Sequence, residues 1–81
     1  MIKVKLKCFS QVKYALGSNQ LVFELEDGTS TDDLENIIRK KAEGKLDDVT
    51  LGIAINKKYI FNNTKLSDGD EIAFIPPVQG G

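Results

Sequence analysis

With 81 residues, 41% of them hydrophobic and 28% charged, the chain has the size and make-up of one globular domain with no room for a second core. Its 11 basic and 12 acidic side chains nearly cancel, which excludes a broad electrostatic grip on nucleic acid or an anionic membrane as its main device. No apolar run is long enough to span a bilayer and the opening "MIKVKLK" lacks the apolar core of a signal peptide, so a cytoplasmic protein is expected.

The first predicted element is "IKVKLKCF". Ile2, Val4, Leu6 and Cys8 alternate with Lys3, Lys5 and Lys7, the pattern of a strand with one buried and one solvated face. "SQVKYALG" then reads as one or two helical turns: Ser10 is the expected cap, Val12 and Leu16 lie four apart, and Gly17 suits a left-handed stop. "QLVFELEDG" alternates again, with Leu21, Phe23 and Leu25 inward and a turn at Asp27-Gly28. The two strands are expected to pair antiparallel.

"STDDLENIIRKKAEG" is the main predicted helix. Ser30 or Thr31 caps it, Asp32, Asp33 and Glu35 favour its positive end, Arg39, Lys40 and Lys41 favour the other, and Gly44 closes it. Leu34, Ile37, Ile38 and Ala42 form one apolar stripe. "KLDDVT" is read as a loop or short helical turn. "LGIAIN" is a strand with Leu51, Ile53 and Ile55 on one face, and "KYIF" returns after a tight reversal at residues 56–58. After a turn at Asp68-Gly69, "EIAFI" is the last strand, with Ile72 and Phe74 inward. A hairpin, one main helix and further strands imply an α+β layer fold, the β-grasp: a mixed sheet of about five strands with the helix across one face.

The last strand does not alternate cleanly. Ala73 and Ile75 point away from the core and are still apolar, and Phe9, Val22 and Ala54 pose the same question on neighbouring strands. Scattered apolar exposure is ordinary, but several such residues near the tail point to an apolar patch on the helix-free face, made for a partner. Cys8 shares parity with Val4 and Leu6, so it is expected in the core, where a thiol is inert.

One cysteine excludes an internal disulfide, and with no histidine the commonest metal ligands and general bases are missing. "EGKL" lacks the upstream glycine and the hydroxyl residue of a phosphate loop. No metal site and no bound cofactor are expected, and attention shifts to "IPPVQGG". Pro76 and Pro77 end strand pairing and hold the chain extended. Val78 supplies a small apolar anchor, and Gly80 and Gly81 present bare backbone and a carboxylate. Residues 1–75 are thus read as a domain and 76–81 as a tail reaching about 20 Å, enough to thread into another protein's active site. A carboxylate is a poor electrophile. Transfer to AMP would activate it, and a sulfur nucleophile displacing AMP would leave a thiocarboxylate that carries one sulfur atom.

At these residues the sequence resembles a known family. "DGDEIAFIPPVQGG" looks like the C-terminal signature of MoaD-type sulfur carriers, the small subunits of molybdopterin synthases, while "MIKVKLKCFSQVKYALG" and "IAIN" resemble the family's opening and central strands. The resemblance implies that Gly81 is adenylated by a ubiquitin-activating-type enzyme that uses ATP and is converted to a thiocarboxylate with sulfur from a donor protein. It further implies insertion of the tail into the synthase large subunit, where sulfur passes to cyclic pyranopterin monophosphate. Gly80 and Gly81 match the family's terminal pair, and Phe9 and Ile75 fall where the family places apolar contacts to its partners. A thiamin-type sulfur carrier, a ubiquitin-like modifier joined to lysines through Gly81, and a plain β-grasp adaptor are the alternatives.

Overall fold

The alternation of charged and apolar residues at the start of the chain produces the strand on which the sheet is assembled. In a computed structural model, which describes residues 1–76, β1 (Ile2–Cys8) buries Ile2, Val4, Leu6 and Cys8 and turns its lysines to the other face. It pairs antiparallel with β2 (Gln20–Leu25), Val4 opposite Phe23 and Leu6 opposite Leu21, so both strands present their apolar sets to one side. On its other edge β1 pairs parallel with β5 (Glu71–Ile75). β3 (Gly52–Ile55) and β4 (Lys58–Ile60) complete a mixed sheet in the order β2-β1-β5-β3-β4. This is the expected β-grasp arrangement.

The core lies on the helix side. Leu6, Ile72 and Phe74 from the sheet meet Leu34 and Ile38 of α2 (Thr31–Lys41), all fully buried, with Val12 of α1 (Ser10–Leu16) closing one end. Each such side chain contributes roughly 1.5–3 kcal/mol through its burial. Ser30 caps α2 in a reciprocal box: its hydroxyl accepts from the Asp33 amide at 3.3 Å, and the Asp33 carboxylate accepts from the Ser30 amide at 3.0 Å.

Several local expectations are corrected. Ser10 does not cap α1: the N-cap is Phe9, without a side-chain cap bond, and Ser10 has φ 50°, whereas a capping serine needs extended backbone. Ile37 is not part of the buried stripe. It is 38% exposed, because at 3.6 residues per turn it lies about 100° round the helix from Ile38. Gly44 does not close α2, which stops at Lys41 with Ala42 as its C-cap; the left-handed residues Glu43 and Gly44 follow in the next turn.

The segments between elements are tied down by long-range bonds. Arg39 pairs with Glu35 at 2.9 Å, and its guanidinium also donates to the carbonyls of Leu46 and Val49, folding residues 42–50 back so that Leu46 enters the core. Thr31 is a buried polar residue rather than a cap. Its amide donates to the Thr64 carbonyl at 2.8 Å, and its hydroxyl accepts from the Thr64 amide at 3.0 Å and donates to the Asn63 side-chain oxygen at 3.3 Å. Removing that hydroxyl leaves a sheltered amide without a partner, so Thr31→Val is expected to destabilise the fold by about 1–3 kcal/mol despite equal volume. Urea denaturation of the two chains checks this, and equal midpoints would contradict it.

Candidate functional site

On the helix-free face, register decides which side chains become neighbours. Ala73 lies opposite Lys7 on one side and Ala54 on the other, and Ala54 lies opposite Tyr59. The row Lys7–Ala73–Ala54–Tyr59 therefore crosses four strands. One step along, Ile75 pairs with Gly52, which has no side chain to fill the space beside it. Phe9, just past β1, leans in from the far side. The result is a shallow hollow of about 340 Å³ lined by Phe9, Ala54, Tyr59, Ala73 and Ile75, with Lys7, Lys57 and Glu71 among its charged walls.

Four of the apolar residues singled out from sequence, Phe9, Ala54, Ala73 and Ile75, are thus brought together. Val22 is not among them. It is 56% exposed on β2 opposite Lys5 and lines a separate hollow with Lys3 and Asp68, because the lysines of β1 stand between it and β5. Tyr59 and Gly52 escaped the sequence reading. The signal was present: a two-residue reversal at Asn56-Lys57 fixes Ile55 opposite Lys58, which places Tyr59 against Ala54.

The floor and its rim differ in exposure. Ala54 is buried and Ala73 and Ile75 half-buried, whereas Phe9 is 47% and Tyr59 62% exposed. Two large rings held half in water beside small floor residues form a surface that gains by being covered, through apolar area removed from water. Phe61, beyond the end of β4, is 91% exposed and does not line the hollow.

Cys8 is in the core as expected, and burial raises its thiol pKa above the usual value, which keeps it in the unreactive thiol form. Among the described residues no group of three acidic, cysteine or histidine side chains is placed to hold a metal ion, and no helix is long and apolar enough to cross a membrane. Pro76 is buried. The tail residues Pro77, Val78, Gly80 and Gly81 lie outside the described residues, as does most of the segment 76–81 read as a tail.

Comparison with known proteins places this geometry. The ThiS family model matches residues 6–81, nearly the whole chain. The chain belongs to the ThiS family. A relative from Chlamydomonas reinhardtii named molybdopterin synthase sulfur carrier subunit is 40% identical over 85 residues, covering 99% of this chain and 100% of the relative. Among solved structures, a candidate molybdopterin converting factor subunit 1 from Pyrococcus furiosus superposes with a TM-score of 0.85 at 30% identity, covering 96% of this chain and 100% of the other. A chain in the complex of subunits 1 and 2 of the molybdopterin-converting factor from Helicobacter pylori matches with a TM-score of 0.71 at 32% identity, over 99% and 100% of the two chains. A small archaeal modifier protein from Methanosarcina acetivorans shares the fold too, with a TM-score of 0.78 at 27% identity over 100% and 98%.

The two faces of β5 make opposite demands on a charge. Ile72 is fully buried on the helix side, and an unpaired ammonium there costs about 3–5 kcal/mol, a large share of a small domain's stability. Ile72→Lys is therefore expected to unfold the protein, while Ile75→Lys is expected to melt within a few degrees of the parent. Thermal denaturation followed by circular dichroism distinguishes them, and equal unfolding by both would refute a two-faced β5.

Proposed function

We propose that this chain is the sulfur carrier subunit of a molybdopterin synthase, docking through the Phe9–Ile75 face and reacting through Gly81. The observation that carries the proposal is the continuity of that face with the end of β5: Ile75 lines the hollow, and Pro76 begins the run to Gly80 and Gly81. A partner seated on the hollow would hold the body of the carrier while the following residues enter its active site. Membership of the ThiS family and the relatives named as molybdopterin synthase sulfur carrier subunits support the reading.

The chemistry assigned to this chain is confined to its terminal carboxylate. An adenylating enzyme of the ubiquitin-activating type would bind ATP, and the Gly81 carboxylate would attack its α-phosphorus and expel pyrophosphate. The terminal sulfur of a donor protein's persulfide would then attack the acyl carbon and displace AMP, and a second thiol would cleave the resulting acyl disulfide, releasing the thiocarboxylate and a disulfide. In the large subunit that sulfur, ionised at neutral pH and strongly nucleophilic, would pass to cyclic pyranopterin monophosphate. Gly80 and Gly81 allow close backbone approach in both partner sites, with Pro76, Pro77 and Val78 stiffening and anchoring the approach. This chain itself binds no cofactor in the scheme.

Incubation with the adenylating enzyme, ATP and a sulfur source is expected to replace one oxygen of the intact protein by sulfur, read by mass spectrometry. Deleting Gly81 should abolish both this change and molybdopterin formation with the large subunit, without altering the melting temperature. Molybdopterin formation by the deleted chain would overturn the proposal, and conjugation to lysines in place of thiocarboxylate formation would make the chain a modifier.

A further inference from the structure

The turn between β3 and β4 is built from a residue that the fold alone does not favour. Asn56 has φ 51° and Lys57 φ 72°, so both central positions of this two-residue hairpin loop are left-handed. Such a loop favours Asn followed by Gly, because a side chain at the second position crowds the backbone. Asn56 meets the preference and is anchored: its side chain donates to the Asp70 carboxylate at 3.0 Å and accepts from the Glu71 amide at 3.0 Å, and its own amide donates to the Glu71 carbonyl at 2.8 Å. Lys57 does not meet it, and backbone strain of this kind gathers at functional sites.

The side chain at this unfavourable position stands at the docking hollow. Lys57 lines it together with Lys7, Glu71 and the apolar floor. Among the described residues the ion pairs are Met1 with Asp27 and Arg39 with Glu35, so neither Lys57 nor Lys7 has an ionic partner among those residues. Two ammonium groups against one carboxylate give the walls of the hollow an excess positive charge.

We propose that Lys57 is a partner-recognition residue: the large subunit meets the hollow with an apolar side chain flanked by a carboxylate, and Lys57 pairs with that carboxylate. The inference rests on the docking reading above. A charge at the rim of an apolar contact acts through encounter rate, register and salt dependence more than through raw affinity, which justifies a strained lysine where glycine would serve the fold better.

Binding of the full chain to the purified large subunit, measured by calorimetry at low and high salt, tests it. Lys57→Gln is expected to weaken binding at low salt on the order of threefold to tenfold and to flatten the salt dependence. Lys57→Gly should show the same loss of affinity while raising the melting temperature by a few degrees, so that stability and binding move in opposite directions. Affinity within twofold of the parent in either variant, or an unaltered salt slope, overturns the role of Lys57. If Ile75→Lys loses binding while both Lys57 variants keep it, only this inference falls. A parent chain that does not bind, or one whose binding survives Ile75→Lys and both Lys57 variants, removes the docking reading with it.

Discussion

The structure depends on one strand being covered on both sides. β5 lies inside the sheet between β1 and β3, so its backbone is paired along both edges and its side chains fall alternately to two different tasks. Ile72 and Phe74 close the core beneath α2. Ala73 and Ile75 face the other way, where Lys7 and Ala54 flank Ala73 and Gly52 leaves the space beside Ile75 open, so this side of the strand forms the floor of the hollow. The parallel pairing of β1 and β5 makes both tasks possible: it joins the beginning of the chain to its end and sets Phe9 beside the hollow that Ile75 lines.

Much of this was legible in the sequence, for a definite reason. Period-two alternation is a local property: in β1 and β5 it named the buried residues, and in β2 the core-facing ones, of which Leu25 is buried while Leu21 and Phe23 on this edge strand are partly buried. The departure from alternation in β5 was equally local, so Ala73 and Ile75 stood out as residues needing a second explanation. That they gather with Phe9 and Ala54 depended on strand order and register, which no single segment contains. Val22 shows the limit: by pattern it resembled the others, but β1 intervenes.

What stayed hidden was held by distant partners. Leu46 and Leu66 sit in segments without regular structure, and nothing in their immediate sequence marks them as core. Leu46 is drawn in where Arg39 gathers two loop carbonyls, and Leu66 where its amide donates to the carbonyl of Thr29. Thr31 had the right chemistry for a cap and the right position for one, yet Ser30 takes that role and Thr31 instead binds residues 63 and 64. Ser10 differs from its expected role for a local reason: its backbone is left-handed, with φ 50°, and a residue in that conformation cannot serve as a cap.

The bonds at the entrance to β5 carry a metrical consequence. Asn56 grips the Glu71 backbone, the Lys5 amide donates to the Asp70 carbonyl at 2.9 Å, and Lys3 exchanges bonds with Asp68 and Gly69. These fasten the strand at its start, so it cannot slide along its neighbours. The smallest slide that keeps each side chain on its own face is two residues, or about 7 Å. A carbonyl carbon 7 Å from its place is outside bonding distance of any nucleophile, so under the proposed function a shift that left the core chemically intact would make Gly81 miss its target. The turn and its neighbours therefore work as the zero mark of a ruler, and in the proposed scheme the reading at the other end is the length of chain available for reaction.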